Sequence, residues 1–242
     1  MAQITRSHTR FAALFCLLLM LAGACAGTAD PEQIADEIEK LQSGTEPPQA
    51  SSVSAVDLGL SVLWASCNLT SDGFAESPYE YGDYFSWGES EPKNNYEWSS
   101  YGMGTDPAGP FTKYNKMNSQ NPVILETGPD GDDAASKILG GDWRMPTDEE
   151  WAELRNNCTW TWTTENNIRG IRVLAQNDSS IFLAAGGGDA AFYINSACYY
   201  WSSTLSTVST CYAWSVISYD NGPVNRGYDN RCAGFAIRPV KE

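Results

Sequence analysis

The chain has 242 residues and a mass of 26.5 kDa, which is enough for one large domain or two small ones whose core needs no disulfide bonds. Its 30 acidic residues against 15 basic ones give a formal charge of -15, which excludes nucleic acid as a partner because the phosphate backbone would be repelled. The only histidine is His8. A mature chain that has lost His8 can hold no Ser-His-Asp or Cys-His centre and no histidine-ligated metal.

Residues 1–24 have the pattern of a lipoprotein signal peptide. Arg6 and Arg10 precede an uncharged apolar run, Phe11 to Ala22, which is shorter than the roughly 20 residues that a membrane-spanning helix needs. Small residues then lead to Cys25 in a sequence that resembles a bacterial lipobox, with Ala22 where leucine is usual. We expect Cys25 to be lipidated, so that the lipid anchors the protein in the outer membrane and exposes it at the cell surface. Cleavage after an Ala-x-Ala site, without a lipid, is the alternative.

Residues 25–53 are expected to contain the lipidated cysteine, one short helix and a linker. Asp30 is a candidate N-cap, Pro31 takes the first helical position, and apolar residues then recur at helical spacing up to Leu41. A helix of about 11 residues is marginal alone, so it packs on the domain, self-associates or forms part of a solvated stalk. The linker is rich in Pro and Ser and covers residues 46–52.

The remaining residues, 54–242, are predicted to form one domain of short strands, two helices and many loops. A first strand is expected over Val56–Ala65, a short helix over Asp133–Leu139, and a second helix where Thr147 and Glu150 form a capping box. The expected strands that follow are Gly170–Leu174 and Ser180–Ala184 as a hairpin, then Tyr199–Ser203, Tyr212–Ile217 and Phe235–Val240, with a turn at residues 220–222.

The seven cysteines divide by position. Cys16 lies in the signal peptide and Cys25 is the lipidation candidate, which leaves an odd number, so a complete internal pairing is impossible. An exported chain favours disulfides, and Cys67 with Cys158 is the pairing we expect if one forms. The alternative is that the remaining cysteines are small buried hydrophobic residues: Cys67, Cys158, Cys198, Cys211 and Cys232.

A set of motifs occurs in order along the domain. They are Val56–Val62, Trp64–Asn68, Tyr81–Tyr84, Trp87–Glu89, Trp143–Trp151, Tyr200–Ser203 and Arg238–Val240. Together they resemble the FISUMP (major paralogous domain) family over nearly all of residues 55–242. The resemblance implies an α+β chain with a C-type lectin-like fold, in which short mixed strands and two helices support long irregular loops that carry the binding surface. It also implies that the two ends of the domain pair.

We expect that the protein is not an enzyme, because a mature chain without histidine shows no ordered nucleophile and base. The family's formylglycine-generating relatives use a reactive cysteine pair, and this sequence has no matching pair. We therefore expect no catalytic residue and no cofactor. Arg144, between Trp143 and a capped helix, is expected to stack on Trp143 or Trp151 and to bond loop carbonyls, which is a structural role.

No metal site is expected either. Residues Asp130–Asp133 bring three carboxylates together, but a calcium loop of the EF-hand type needs ligands out to its twelfth position, so capping of the next helix is preferred. Lectins of the implied fold that bind sugar through calcium use Glu-Pro-Asn or Gln-Pro-Asp with Trp-Asn-Asp, whereas Glu91–Lys93 ends in a cation and the second motif is missing. The alternating Trp160–Trp162 is expected in the core and not as a sugar platform.

The segment from Tyr199 to Arg231 mixes Tyr and Trp with many Ser, Thr, Asn, Asp and Gly residues, which is the composition of a recognition surface. It also resembles the C-terminal variable region of proteins that retroelements diversify. We therefore expect a ligand-binding module, adhesin-like or lectin-like, for an unknown protein or glycan at the cell surface. The alternatives are ordinary buried aromatic residues in a structural or assembly component of the envelope or a surface appendage, and an enzyme of the formylglycine-generating type.

The binding face is expected between about Thr204 and Arg231. The candidate ligand-binding residues are Tyr212, Trp214, Tyr219, Asn225, Arg226, Tyr228 and Asn230. Side chains alternate in the strand at 212–217, so the even-numbered residues share one face and the odd-numbered residues the other, and one of these sets is expected to be core. Tyr219, Arg226 and Tyr228 remain candidates in either case. The loops from Tyr79 to Tyr101 are the alternative location.

Overall fold

Eleven short strands and two helices make up the part of the chain that the computed structural model describes, residues 53–189 and 192–242. The helices are α1 (Ala134–Leu139) and α2 (Asp148–Asn157), and Trp98–Ser100 forms one turn of 3-10 helix. The strands are β1 (Ala55–Val56), β2 (Leu63–Ala65), β3 (Leu69–Thr70), β4 (Gly73–Phe74), β5 (Thr159–Glu165), β6 (Ile168–Leu174), β7 (Ser180–Ala184), β8 (Ala197–Leu205), β9 (Tyr212–Tyr219), β10 (Asn225–Asn230) and β11 (Val240–Lys241).

The strands form four small antiparallel sheets, in the orders β1-β2-β11, β3-β4, β5-β6-β7 and β8-β9-β10. This mixture of sheets and helices is an α+β fold, as expected. No helix among the described residues is long and apolar enough to cross a membrane. The predicted signal peptide, the lipidation site Cys25, the helix after Asp30 and the linker lie outside the described residues.

Strand β8 is the centre of the fold. All nine of its residues are buried, and alternate side chains enter two different hydrophobic clusters. Tyr200 packs with Trp151 of α2 in one cluster, whereas Tyr199 and Trp201 pack with Phe235 in the other. Because successive side chains of a strand point to opposite faces, β8 has a core on each side. The sheet β8-β9-β10 is therefore covered on both faces near this strand.

The first strand expected from the sequence, Val56–Ala65, is wrong as a single element. The residues between β1 and β2 form a turn in which Asp57 Oδ1 accepts a hydrogen bond from Gly59 N (2.7 Å), and Gly59 has a φ of 68°. This left-handed conformation costs glycine little, which permits the reversal. β1 and β2 then pair with each other antiparallel. The apolar residues alternate here because both sides of the turn pack into the core, and not because they form one continuous strand.

The C-terminal segment Phe235–Val240 is likewise less regular than expected. Phe235 and Ala236 make only isolated bridges, to Phe85 and Tyr200. The strand β11 is only two residues long, Val240–Lys241, so it begins where the expected strand ends. β11 pairs with β2, so β2 lies between the first and the last strand of the described chain. The two ends of the domain therefore meet in one sheet.

Both helices begin at side chains that the sequence marks as caps. Asp133 accepts a hydrogen bond from Ser136 N (2.9 Å) at the start of α1. Thr147 and Glu150 form the expected capping box at the start of α2, with each side chain bonding the backbone N–H of the other residue. These contacts satisfy N–H groups that have no partner within the helix, and they fix where each helix starts.

Arg144 has a structural role that includes the expected bond to a loop carbonyl but not the expected stacking on an aromatic ring. Its guanidinium forms a two-point ion pair with Glu150 (2.6 and 2.9 Å) and donates to the Met145 carbonyl. Among the described residues, the cation over the Trp143 ring is Lys241 at 5.2 Å, so the expected stacking of Arg144 is wrong. Glu150 therefore closes the capping box and pairs with Arg144, which joins the helix start to the preceding loop.

The hairpin predicted from Gly170–Leu174 and Ser180–Ala184 is confirmed as β6 and β7. β5 adds a third strand to this sheet. Trp160 and Trp162 on β5 are half-buried and pack against the cluster that contains Trp151, as expected of core residues.

Candidate binding surface

The predicted ligand-binding residues lie on the sheet β8-β9-β10, and they divide between its two faces. β10, which the sequence pattern does not predict, pairs along β9 with Tyr228 opposite Trp214. Opposed residues share a face and alternate residues change face. The front face therefore carries Tyr212, Trp214, Arg226, Tyr228 and Asn230, and the back face carries Tyr219 and Asn225. The predicted set forms two surfaces and not one.

β9 buries residues from both of its alternating sets. Val216, an even-numbered residue, belongs to the same cluster as Tyr200, and Ala213, an odd-numbered residue, belongs to the cluster of Trp201. One set was expected to be core, and in the structure both sets contribute to the core because the sheet has a core on each side. Exposure in β9 changes along the strand and not from face to face.

On the front face, the Arg226 side chain covers the ring of Trp214. The guanidinium carbon of Arg226 lies 3.4 Å from the centre of the Trp214 ring, and Nε and Nη2 contact the two carboxylate oxygens of Asp148 at 2.9 and 2.6 Å. Trp214 is only 7% exposed. Arg226 thus combines a cation–π contact with a two-point ion pair and links β10 to the start of α2. Trp214 is therefore a buried packing residue, and the charge of Arg226 is already paired with Asp148 of the same chain.

Beyond Trp214 the front face ends in two tyrosines. Tyr228 is 45% exposed, and its ring lies 5.0 Å from that of Tyr212 and 5.7 Å, edge-on, from that of Trp214. Tyr212 and Asn230 are half-buried. Of the predicted residues on this face, Tyr228 and Arg226 are the exposed ones.

A groove of about 280 Å³ opens beside Arg226. It is lined by hydroxyl, carboxylate, guanidinium and apolar side chains: Ser119, Pro122, Ile124, Asp148, Glu149, Thr204, Thr207, Trp214 and Arg226. Arg226 and Asp148 neutralise each other in its wall. The groove therefore presents hydroxyl groups and the Glu149 carboxylate to a polar ligand.

The back face ends in an exposed aromatic patch. Tyr219 is 53% exposed, and its hydroxyl accepts a hydrogen bond from the Tyr199 hydroxyl (2.7 Å). Tyr193 contacts the Tyr219 ring edge-on, with 6.3 Å between centroids. Phe192, which is 71% exposed, and Ile194 flank Tyr193 in the chain. We call Phe192, Tyr193, Ile194 and Tyr219 the tyrosine patch.

Backbone hydrogen bonds hold the loop that carries Tyr193. Gly188 and Phe192 exchange N–H···O bonds of 2.9 and 2.7 Å, and Ser196 N donates to the Tyr193 carbonyl (3.0 Å). Tyr193 has a φ of 64°, a left-handed conformation that is costly for a bulky residue. Gly187 passes so close to Phe192 that a Cβ there would lie 1.9 Å from its carbonyl oxygen. The fold therefore accepts backbone strain where it exposes Phe192 and Tyr193.

The sequence pattern does not predict Phe192–Ile194 as part of the site. These three apolar residues lie between the glycines of Gly186–Gly188 and the turn-forming Asn195. A short apolar run inside a segment of turn residues is a signal for exposed apolar side chains, because connecting loops run over the protein surface. That signal indicates the patch without any knowledge of the fold.

The described cysteines are all free thiols. Cys67 and Cys158 are not bonded to each other, so the expected disulfide is wrong in this structure, and four of the five thiols are buried while Cys158 is half-buried. Burial raises the pKa of the Cys198 thiol and raises that of Cys232 to about 12. These two thiols are therefore protonated at neutral pH and are poor nucleophiles.

Among residues 53–189 and 192–242, no group of three or more Asp, Glu, His or Cys side chains is placed to hold a metal ion. Two of the three carboxylates in the segment 130–133 have separate partners. Asp133 caps α1, whereas Asp132 pairs with Lys113 Nζ (2.8 Å) and accepts a hydrogen bond from the Tyr114 hydroxyl (2.8 Å). These two contacts direct the carboxylates to different neighbours.

The chain matches no protein-family model, no curated protein and no solved structure. What the protein binds is therefore inferred from the chemistry of its own surfaces. Two surfaces are candidates: the front face, with Tyr228 and the groove beside Arg226, and the tyrosine patch on the back face.

Proposed function

We propose that the protein is a ligand-binding lipoprotein of the cell surface, adhesin-like or lectin-like, whose residues 54–242 form a FISUMP domain of the C-type lectin-like fold. The observation that carries the proposal is the location of the exposed aromatic side chains. Among the described residues there are four, Phe192, Tyr193, Tyr219 and Tyr228, and all lie in the sheet β8-β9-β10 or in the loop before it. The ligand is a protein or a glycan.

Exposed aromatic residues on a rigid support are suited to binding. Tyrosine supplies a large contact area with few rotatable bonds, so little entropy is lost when a ligand covers it. The large tryptophans of the core, Trp64, Trp87, Trp151 and Trp201, are fully buried. The chain therefore keeps apart the aromatic residues that stabilise the fold and those that face the solvent.

Two features favour binding over catalysis. The only histidine is His8, inside the predicted signal peptide, so the mature chain would have no imidazole as a general base. The raised pKa values of Cys198 and Cys232 leave those thiols without a reactive thiolate at neutral pH. We infer that the exposed aromatic residues act by contact alone.

Replacing Tyr219 or Tyr228 by alanine tests the proposal and identifies the face that binds. The purified protein is applied to arrays of glycans and of peptides, and each retained ligand is then titrated against both variants. We expect one of the two variants to weaken binding at least roughly tenfold, which is the effect of losing one hot-spot residue. Leu174→Ala removes an exposed side chain from β6, in a different sheet, and is expected to bind as the unaltered protein does.

The two variants separate the candidate surfaces because Tyr219 and Tyr228 lie on opposite faces. Loss with Tyr219→Ala alone assigns the ligand to the back face, and loss with Tyr228→Ala alone assigns it to the front. A protein that retains nothing on either array, or that binds equally well in both variants, would contradict the proposal and favour the structural or assembly role.

The proposed cell-surface location depends on Cys25, which lies outside the described residues. The motivation is the basic start, the apolar run and the small residues that precede Cys25. We expect the protein extracted from membranes to begin at Cys25 and to carry a diacyl or triacyl addition, measured as intact mass, and Cys25→Ser to lose that mass. A water-soluble protein that begins at another residue would contradict the lipid anchor.

A further inference from the structure

Two carboxylates have no basic partner among the described residues, one in the loop of the tyrosine patch and the other on the same face of the sheet as Tyr219. Asp189 lies in the same loop as Tyr193, and its Oδ1 atom accepts a hydrogen bond from Gly234 N (2.7 Å). Asp229 lies on the back face of β10, and its Oδ1 atom accepts one from Asn230 N (2.7 Å). Within residues 53–189 and 192–242, neither carboxylate forms an ion pair. Each therefore keeps acceptor positions for a donor from outside the chain.

Tyr199 connects these carboxylates with the patch. Its hydroxyl donates to Tyr219, and its ring packs on Phe235 with 4.9 Å between centroids. Burial raises the pKa of the Tyr199 hydroxyl, and the hydrogen bond with Tyr219 and the charge of Asp229 raise it further. Burial also raises the pKa of Asp229, and the charge of Asp189 adds to that increase. The turn after β10 links the two carboxylates, because Ala233 N donates to the Asn230 carbonyl (2.9 Å) while Gly234 N donates to Asp189. Asp189 in turn precedes Phe192 of the patch by three positions.

A cation is the ligand that this surface favours. Carboxylates attract ammonium and guanidinium groups, and the faces of exposed tyrosine rings do so as well. The formal charge of -15 attracts cations at longer range. Asp220, which follows Tyr219 in the chain, is already paired with Arg169. Asp189 and Asp229 form no ion pair among the described residues, so they are the carboxylates of this face that remain for a basic ligand.

We propose that the tyrosine patch, together with Asp189 and Asp229, is the docking site for an exposed segment of a partner protein that carries arginine or lysine beside apolar side chains. The inference rests on the proposed function and names the class of ligand for the back face. Phe192 and Ile194 contact the apolar side chains, and the two carboxylates accept hydrogen bonds from the cationic one. Phe192 is too exposed to line an enclosed cavity, so the surface suits another protein surface and not a small amine.

A second copy of the chain is a poor partner for this surface. Each copy carries a formal charge of -15, so two copies repel each other. A different protein, with basic residues on its surface, is therefore the favoured partner.

Selection from a random peptide library tests the proposal. The library is displayed on phage, bound to the full-length protein and depleted on its Tyr219→Ala variant, so that the retained peptides depend on the patch. We expect arginine and lysine to be enriched in them over the starting library, next to aromatic or aliphatic residues. Their affinity is expected to fall at least roughly tenfold when Asp189→Asn and Asp229→Asn are combined, because the charged hydrogen bonds are lost while the side-chain shape is kept.

The matched control combines Asp142→Asn with Asp178→Asn, which changes the net charge by the same amount at exposed positions outside the patch. This variant is expected to bind the selected peptides as the unaltered protein does. Equal losses in the two double variants, retained peptides without basic residues, or no retained peptide at all would overturn the inference. Neutral peptides or glycans that still require Tyr219 would leave the binding function standing, whereas binding independent of both Tyr219 and Tyr228 would remove that function too.

Discussion

Replacing Arg231 by alanine is expected to lower the free energy of unfolding by at least about 3 kcal/mol. Arg231 is fully buried, and its guanidinium carbon lies 4.8 Å from the centre of the Trp87 ring and 4.7 Å from that of Phe111. Among the described residues it has no carboxylate partner. Aromatic faces and neutral acceptors therefore compensate a buried positive charge here, and burial lowers the pKa of the guanidinium.

The acceptors around Arg231 explain the size of the expected loss. Nε donates to the Tyr101 hydroxyl (2.9 Å), and the terminal nitrogens donate to the carbonyls of Lys113, Tyr114 and Thr210 at 3.2 to 3.4 Å. Alanine would leave these acceptors without a donor and would leave a cavity between the rings. The rings of Trp87 and Phe111 and the carbonyls of Lys113 and Tyr114 all belong to the long segment between β4 and α1. The cavity and the lost hydrogen bonds therefore destabilise the same part of the chain.

Urea unfolding followed by tryptophan fluorescence measures the effect of Arg231→Ala. Arg172→Ala is the matched control, since Arg172 is half-exposed and pairs with Glu165 on the surface, and its loss is expected to cost at most about 1 kcal/mol. Arg231→Met, which retains an apolar stem between the rings, is expected to lose less than alanine and more than the control. A stability of Arg231→Ala equal to that of Arg172→Ala would contradict this account.

Arg238→Lys is expected to cost at least about 3 kcal/mol although it conserves the charge. Arg238 is fully buried, and Nε donates to Asn68 Oδ1 (2.8 Å). Nη1 donates to the carbonyls of Ala65 and Ser66, and Nη2 donates to that of Phe182 (2.7 Å). These acceptors lie in two separate parts of the chain, residues 65–68 and Phe182 of β7. A lysine ammonium is a single point on a flexible stem and cannot reach all of them.

The same urea experiment measures Arg238→Lys, with Arg172→Lys as the control at an exposed ion pair. The control is expected to be within about 0.5 kcal/mol of the unaltered protein. An Arg238→Lys variant as stable as its control would show that a positive charge alone is sufficient at this position. It would then be wrong that the planar guanidinium connects the C-terminal segment to the strands around it.

Local rules predict the elements whose signals are local. The capping box of Thr147 and Glu150 and the N-cap at Asp133 need only residues within one helical turn, and both are confirmed. The hairpin β6-β7 is also predicted, because turn residues separate two apolar runs of matching length. The expected strand over Val56–Ala65 fails because core contacts of a chain reversal produce the same alternation as a strand.

The surface could be predicted only in part, because distant contacts decide which aromatic residues are exposed. Trp214 is covered by Arg226, and Arg226 is held by Asp148, which is 78 positions away in sequence. Periodicity in β9 could not show that both faces of the sheet are packed, since this depends on the position of β8 between two clusters. The exposure of Tyr219 and Tyr228 agrees with their place among the predicted candidates, whereas Tyr193 becomes a neighbour of Tyr219 only through the fold.

Hydroxyl-radical footprinting of the protein with and without a selected basic peptide tests the central claim most directly, because it measures which side chains a ligand covers. We expect oxidation of Phe192, Tyr193 and Tyr219 to fall when the peptide is bound, while that of Tyr228 on the opposite face stays unchanged. Unchanged oxidation of the tyrosine patch, with protection in the loops from Tyr79 to Tyr101 instead, would contradict the account and place the binding site there.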